Sequence, residues 1–176
     1  MMHNRRHYIY PDKDTLVAAF VSEFSKFLSE AANSGKPVHV ALSGGSTPLS
    51  IFAQLKESTT REEWSNIHLY WGDERCVAPD DPQSNYGQVR KILLDYLDLP
   101  KDQIHRIRGE EYPPAESSRY TQLLMDRLPV EKGVPVFDWV WLGLGEDGHT
   151  ASIFPHQIEY WNAEDPCVVA THPDTG

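Results

Sequence analysis

The chain has 176 residues, of which 40% are hydrophobic and 24% are charged, and this composition excludes a disordered or collagen-like protein. It carries 16 Lys and Arg residues against 26 Asp and Glu residues, which gives a formal net charge of −10. Because no basic run accompanies this acidic balance, the sequence excludes a general nucleic-acid binder. An anionic ligand must therefore be captured by a local pocket, against the field of the protein itself.

The N-terminal segment and the most apolar internal stretch give no membrane signal. Residues 1–14 lack the apolar core of a signal peptide, and residues 134–145 are interrupted by Asp138 and are too short to cross a bilayer. We therefore expect a soluble, cytoplasmic protein without a membrane partner. Among the eight histidines only His3 and His7 have helical ligand spacing, in a terminus expected to fray, so we expect no metal site.

Apolar residues alternate along the chain between a helical period and short β-rich runs. Asp12, Asp14 and Thr15 offer N-caps for the first helix, Pro48 can open the second, and Ser84 can cap the third. In chain order the predicted elements are a helix at 16–31, a strand at 37–43, a helix from Pro48, a strand at 67–71, a helix from Ser84 to Tyr96 with Val89, Ile92, Leu93 and Tyr96 facing inward, a strand at 104–107, a helix at 116–128, and strands at 137–144 and 167–171. This alternation predicts an α/β fold, a three-layer sandwich whose mainly parallel sheet has helices on both faces. Because no linker is evident, we predict one domain over residues 1–176.

Three polar segments that contain glycine follow predicted strands directly, after Ser43, after Trp71 and after Leu144. In a parallel sheet, ligands bind outside the carboxyl ends of the strands. We therefore expect the three segments to converge on one rim of the sheet.

The first segment, residues 43–48, has the features of a phosphate cradle. Gly44 and Gly45 allow close backbone approach, Ser46 and Thr47 add hydroxyl donors, and the helix that follows turns its free N–H groups toward the same place. The segment lacks the lysine of a P-loop and the second glycine of a serine-hydrolase elbow. The alternative is a plain strand-to-helix turn with Thr47 as N-cap.

The second segment, Gly72-Asp73-Glu74-Arg75, places opposite charges directly after a strand. Arg75 can make a two-pronged contact with phosphate or carboxylate, and Asp73 stands where a catalytic carboxylate would point over the sheet. An ion pair between the two would hold both side chains rigid. The alternative is a pair of solvated loop charges. Asn85, further along, is either a substrate ligand or a residue that only starts a helix.

The third segment, residues 143–148, matches the GxGxxG pattern of dinucleotide-binding proteins. Glu146 and Asp147 would repel a pyrophosphate, and Pro155 leaves little room for the helix that this pattern needs, so we expect no nucleotide and no other cofactor. His149, on a tight turn with a carboxylate two residues earlier, is typical of a general base whose tautomer is fixed. The alternatives are a structural His149 and an Asp147 that only shapes the turn.

Four segments resemble the 6-phosphogluconolactonase family in order and spacing. They are residues 43–48, 72–77, 84–86 and 143–155. The resemblance implies a Rossmann-like fold shared with glucosamine-6-phosphate deaminase. It also implies hydrolysis of a phosphorylated sugar lactone, 6-phosphoglucono-δ-lactone, to 6-phosphogluconate in the oxidative pentose phosphate pathway, without a metal.

The resemblance also implies residue roles. His149 is similar to the base that activates water against the lactone carbonyl, and Asp73 to a residue that orients the water or the histidine. The residues similar to the family's phosphate ligands are Gly44, Gly45, Ser46, Thr47 and Arg75. The family normally continues beyond the end of this sequence, with another strand and helix and further basic residues, so the resemblance implies that this C-terminal portion is lacking.

Two other functions compete with lactone hydrolysis. Deaminases of the same fold carry a glutamate five residues after the histidine, where this chain has Phe154, and a hydrophobic ring cannot move a proton. A non-catalytic sugar-phosphate sensor needs a DNA-binding element, and no helix-turn-helix or basic segment precedes Leu16. Lactone hydrolysis is therefore favoured.

Overall fold

A computed structural model describes residues 5–173 of the chain. His3, one member of the histidine pair considered above, lies outside these residues. Within them, no group of three or more His, Cys, Asp or Glu side chains is placed to hold a metal ion. No helix between residues 5 and 173 combines the length and the apolar composition that crossing a bilayer requires.

The first helix, α1 (Lys13–Ser34), takes Asp12 as its N-cap. The Asp12 side chain accepts a hydrogen bond from the backbone N–H of Thr15 at 2.8 Å, which satisfies one of the free donors of the first turn. Gly35 ends the helix with φ of 64°, a left-handed conformation that costs glycine little. The N-cap is one of the three candidates that the sequence offers, and the helix extends three residues beyond each end of the predicted range 16–31.

A four-stranded parallel sheet forms the middle layer of the fold. In chain order the strands are β1 (Val38–Leu42), β2 (Ile67–Trp71), β3 (Ile104–His105), β4 (Val130–Glu131), β5 (Val134–Pro135) and β6 (Trp139–Val140). The sheet has the order β3-β2-β1-β6, while β4 and β5 form a separate antiparallel hairpin. In the longest pairing β1 and β2 run in register from Val38 beside Ile67 to Leu42 beside Trp71.

Helices cover both faces of the sheet. The remaining helices are α2 (Ser46–Ser58), α3, which runs through Asn85–Val89, a π-helical turn at Arg90–Leu94 and Asp95–Leu97, and α4 (Pro113–Arg127). Alternate strand residues such as Val40 and Leu42 pack with the apolar faces of α1, α2 and α3. Ala41 and Tyr70, which point the other way, pack with Tyr120 of α4. The predicted three-layer α/β fold with a mainly parallel sheet is confirmed.

The inward face of α3 differs from the predicted one at its last turn. Tyr96 is 58% exposed, whereas Leu97 is 1% exposed and belongs to the core. The π-helical turn at Arg90–Leu94 holds more residues per turn than an α-helix, and it therefore shifts the following buried position by one residue. The prediction for Tyr96 is wrong for this reason, and Ile92 is only partly buried.

Two predicted strands are longer than the paired segments that form. The run at 104–107 pairs with β2 only through Ile104 and His105, and the run at 137–144 pairs with β1 only through Trp139 and Val140. Past Val140 one further backbone bond to β1 forms, from Trp141 N to Ala41 O at 2.9 Å. The chain then leaves the sheet and forms the loop that carries His149.

The C-terminal third contains one hairpin that the sequence analysis missed and lacks one predicted strand. β4 and β5 are joined by Lys132 and Gly133 with φ of 52° and 83°, the positive pair that tight hairpin turns require. Residues 167–171 are not a strand. They lie against α4 instead, where the Ser117 hydroxyl donates to the carbonyl of Cys167 at 2.6 Å.

Candidate active site

The strand order reverses at β1. The chain moves outward from β1 to β2 and β3 and returns to the other side of β1 as β6. Open α/β sheets bind ligands in the crevice outside the carboxyl ends of the strands at such a reversal. A cavity of about 370 Å³ lies at this position. Its wall is formed by Ser43, Gly44, Gly45, Ser46, Thr47, Pro48, Asp73, Arg75, Asn85, Gly143, Leu144, Gly145, Glu146, His149 and Ala151.

The cradle segment, residues 43–48, becomes a strand-to-helix turn that is open toward the cavity. Gly45 is the N-cap of α2 with φ of 103° and makes no side-chain cap bond, so Thr47 is not the N-cap, contrary to the alternative prediction. The helix begins at Ser46, two residues before the predicted start at Pro48, because glycine can take the positive φ that the turn requires. The first-turn N–H groups of Ser46 and Thr47 have no acceptor within the helix and are available to an anion.

Asp73 and Arg75 both line the cavity, but they do not form the ion pair that the sequence suggested. The Asp73 carboxylate accepts hydrogen bonds from the Ser152 hydroxyl at 2.8 Å and from the Asn85 amide at 3.3 Å. The Arg75 side chain is exposed at the mouth of the cavity. The carboxylate is thus held by neutral donors, and the guanidinium is left to face a ligand.

Asn85 is a wall residue as well as the first residue of α3. It is 3% exposed, and its amide also donates to the Asp73 carbonyl at 3.1 Å. A Cβ at Gly44 would collide with this amide, so the glycine permits the cradle to lie directly on Asn85. Asn85 therefore connects the first and second loops.

Glu74 has a structural role that the sequence analysis did not identify. Its carboxylate accepts backbone hydrogen bonds from Asn85 at 2.7 Å and Tyr86 at 2.8 Å, and it also accepts from the Ser84 hydroxyl at 3.1 Å. Burial raises the pKa of the carboxyl group above its usual value, and the backbone donors oppose that rise. Glu74 and Ser84 together satisfy the N-terminal donors of α3, and only the tertiary fold brings this acid to that helix.

His149 and Asp147 form a close pair on the third loop. Oδ1 of Asp147 lies 2.5 Å from Nδ1 of the ring and accepts from the backbone N–H of His149 at 3.2 Å. These two hydrogen bonds, the backbone one first, lower the pKa of Asp147 below its ordinary value. Asp147 itself is not part of the cavity wall, so it can act on a ligand only through His149.

The backbone of this loop is built around glycine. Gly148 has φ of 88°, and its N–H donates to the Gly145 carbonyl at 3.0 Å, which closes the turn. A Cβ at Gly145 would strike the His149 ring and the Asp147 carboxylate. Beyond the turn, residues 149–173 form a 3₁₀ segment at Pro155–Asn162 and no α-helix, so the loop does not have the strand-turn-helix context of a dinucleotide site.

Phe154 supports the histidine from the other side. It is 6% exposed, and its ring centroid lies 5.1 Å from that of His149. The residue therefore belongs to the packing of the His149 turn.

The charge of the cavity wall is mixed. Among the described residues that line it, Arg75 supplies the cation, while Asp73 and Glu146 supply carboxylates. The dipole and free N–H groups at the start of α2 add positive potential at residues 45–47. An anionic group is therefore best accommodated at the cradle and Arg75, away from Glu146.

Comparison with known proteins links this chain to one family. A family model described as glucosamine-6-phosphate isomerases/6-phosphogluconolactonase matches residues 11–176. The 6-phosphogluconolactonase of Treponema pallidum is 44% identical over 172 residues, which are 97% of this chain and 70% of that protein. The 6-phosphogluconolactonase of Haemophilus influenzae is 49% identical over 142 residues, which are 80% of this chain and 59% of that protein.

A solved structure shows the same similarity in three dimensions. The 6-phosphogluconolactonase of Trypanosoma brucei superposes with a TM-score of 0.80 at 29% identity, covering 96% of this chain and 71% of that one. The sequence presented here therefore spans between 59% and 71% of the length of these three relatives.

Proposed function

The chain belongs to the glucosamine-6-phosphate isomerase/6-phosphogluconolactonase family, and we propose that it hydrolyses 6-phosphoglucono-δ-lactone to 6-phosphogluconate in the oxidative pentose phosphate pathway. The observation that carries the proposal is one cavity whose wall contains two chemically distinct groups. His149, backed by Asp147, and the cradle at residues 43–48 both line it. Such a cavity can hold one end of a phosphorylated sugar while a base acts on the other end.

The contact with Asp147 sets the tautomer of His149. An ionised carboxylate can only accept hydrogen bonds, so the Nδ1 atom that faces it carries the proton. The lone pair of the neutral ring is then on Nε2, where it can accept a proton from water. His149 therefore acts as a general base, and Asp147 orients it.

The reaction needs only water and this base. Nε2 of His149 takes one proton from a water molecule as the water oxygen bonds to the lactone carbonyl carbon. The tetrahedral intermediate then breaks the bond between that carbon and the ring oxygen, and the leaving oxygen takes the proton back from the imidazolium. A positioned base contributes about 10²–10⁴ in rate, which suffices for a lactone because it is already an activated ester.

The phosphate end of the substrate binds at the cradle. The free N–H groups of Ser46 and Thr47, their hydroxyls and the backbone at Gly44 and Gly45 surround the anion, and Arg75 adds a charged contact. These contacts are the same in the ground state and the transition state, so they supply orientation and selectivity rather than turnover.

Asp73 lines the same cavity as His149 and the cradle. With its carboxylate held by Ser152 and Asn85, it is placed to orient the attacking water or the imidazolium. Its partners among the described residues are neutral, so no ion pair with them competes with the cation that forms on His149.

Phe154 argues against deamination of an amino-sugar phosphate. The acid that ring opening requires five residues after the histidine is replaced by a phenyl ring packed on His149. We expect no ammonia release from glucosamine 6-phosphate at a rate that approaches lactone hydrolysis.

Turnover of the lactone, measured against its spontaneous hydrolysis, tests the proposal. The chain should accelerate the consumption of 6-phosphoglucono-δ-lactone, and His149→Ala should abolish most of that acceleration. Binding of 6-phosphogluconate without any acceleration would instead identify a sugar-phosphate sensor and overturn the proposal. The assay should also be run on a longer form of the chain that matches the full length of its relatives.

A further inference from the structure

Ser152 joins the loop that carries His149 to the carboxylate of Asp73. Its hydroxyl donates to Oδ2 of Asp73 at 2.8 Å, across a separation of 79 residues in sequence. Asp73 follows β2 and Ser152 follows β6, and these strands lie on opposite sides of β1. The hydrogen bond therefore closes the rim over the carboxyl end of the central strand.

The other oxygen of Asp73 is held from the opposite direction. Asn85 donates to Oδ1 at 3.3 Å and to the Asp73 carbonyl at 3.1 Å, and the Asn85 amide is itself pressed against Gly44. With one donor on each oxygen, the carboxylate has a defined orientation rather than a range of rotamers.

Ser152 is a suitable anchor because its own turn is well determined. The Thr150 hydroxyl donates to the Gly143 carbonyl at 2.9 Å, and Ile153 N donates to the Thr150 carbonyl at 2.9 Å. Ala151, between Thr150 and Ser152, has a left-handed φ of 49°, a conformation that is kept only where surrounding contacts impose it. The turn begins directly after His149, so the base and the Ser152 hydroxyl move as one unit.

We propose that Ser152 is a positioning residue, which sets the distance between the Asp73 carboxylate and the His149 ring. This inference rests on the proposed lactone hydrolysis and adds a residue to it. Ser152 does not line the cavity that holds His149 and the cradle, and its hydroxyl donates to Asp73, so we assign its effect to Asp73. Misplacing a catalytic group by about 1 Å can lower the rate about 10²-fold, so a hydrogen bond that fixes the Asp73 carboxylate can affect kcat.

Steady-state kinetics of three serine variants provide the first test. Ser152→Ala should lower kcat about tenfold and change KM by less than about twofold, because the phosphate contacts are untouched. Ser152→Thr keeps the hydroxyl and should recover most of the lost kcat. Ser118→Ala, which removes an exposed hydroxyl that donates to Pro114 O, is the matched control and should behave as the wild type.

A double-mutant cycle asks whether Ser152 acts through Asp73. In the Asp73→Ala background, Ser152→Ala should have little further effect on kcat, since the group that it positions is gone. Additive effects of the two substitutions would overturn the inference. So would a Ser152→Thr variant as impaired as Ser152→Ala.

A crystal structure of Ser152→Ala tests the same point without turnover. We expect the Asp73 carboxylate to leave its wild-type position while the His149 turn stays in place. An unmoved carboxylate would overturn the positioning role whatever the activity. A wild-type chain that does not accelerate lactone hydrolysis would instead overturn the proposed function, and the crystal structure would still decide whether Ser152 positions Asp73.

Discussion

Nδ1 of His149 lies 2.5 Å from Oδ1 of Asp147, and the same oxygen accepts the backbone N–H of His149. One carboxylate oxygen thus fixes both the ring and the peptide that carries it. His149 also lines the cavity, with a third of its side chain exposed. The pair is consequently organised before any ligand arrives.

Replacing the base should affect turnover and leave binding intact. We expect His149→Ala to lower kcat about 10²-fold or more with little loss of affinity for 6-phosphogluconate, because the proton acceptor is lost and the cradle is not. Lactone consumption and calorimetric titration with the product measure the two effects. His7→Ala, at an exposed histidine outside the fold's core, is the control, and equal losses in both variants would refute the role.

Replacing Arg75 should weaken substrate binding and leave turnover largely intact. Arg75→Ala is expected chiefly to raise KM and to weaken competition by inorganic phosphate, since phosphate contacts persist from ground state to transition state. Arg61→Ala removes a comparably exposed arginine that pairs with Asp98, and it should leave KM unchanged. If Arg75→Ala lowered kcat while KM stayed constant, the assigned role would be wrong.

The two glycines that flank Leu144 provide a matched pair of substitutions. Gly145→Ala should displace the His149 ring, because the added Cβ would collide with it. We expect kcat to fall by about 10²-fold, the cost of a misplaced catalytic group. Gly143→Ala should be tolerated, because its nearest neighbour, the Ser43 hydroxyl, is 4.0 Å away. Assays of both variants, with circular dichroism to confirm folding, check the difference. Similar kinetics for the two variants would contradict the observed close approach.

Three neighbouring histidines of the sheet predict a dependence of stability on pH. His39, His68 and His105 stand on neighbouring strands, and burial lowers the pKa of each, that of His105 to about 4. In the unfolded chain these histidines titrate near the ordinary pKa of 6.5. Between pH 6.5 and 4 the unfolded chain therefore binds protons that the folded chain does not bind. Stability is therefore full above pH 6.5 and falls as the pH drops toward 4, by up to about 3 kcal/mol from His105 alone.

Urea unfolding at pH 7.5, 6, 5 and 4.5 measures this dependence. We expect His105→Phe to flatten the curve over that range, because it removes the most strongly shifted group. His156→Gln, at an exposed histidine, should leave the curve unchanged. A wild-type curve that is flat between pH 6.5 and 4.5 would show that the cluster accepts protons in the folded state.

Elements whose determinants are local in sequence could be predicted well. Asp12 caps α1 through a residue three positions away, and Gly35 ends the same helix within its own turn. The short runs at β1 and β2 could be read from their apolar residues alone. Tyr96 could not be placed, because the π-helical turn that precedes it changes the phase of the helix without any signal in the apolar pattern.

The candidate site likewise combines features that are local in sequence with contacts that only the folded chain creates. Within each of the segments 43–48 and 143–149 the glycines and the polar side chains lie within a few residues of one another, so the chemistry of each segment is visible in the sequence. The partners described above for Asp73 and Glu74 lie 10 to 79 residues away, and no periodicity connects them. Sequence reasoning suggested a pair between Asp73 and Arg75, whereas the carboxylate is bonded to Ser152 and Asn85 in the folded chain.

Local hydrogen bonding and apolar periodicity, which act over one or two helical turns, are what the amino-acid order determines by itself in this protein. They set the helices, the central strands and the three loops with their reactive side chains. Only the tertiary structure decides that β6 returns beside β1, because that placement depends on apolar faces formed by segments about a hundred residues apart. The same placement puts the His149 turn and the cradle into the wall of one cavity and brings Ser152 onto Asp73.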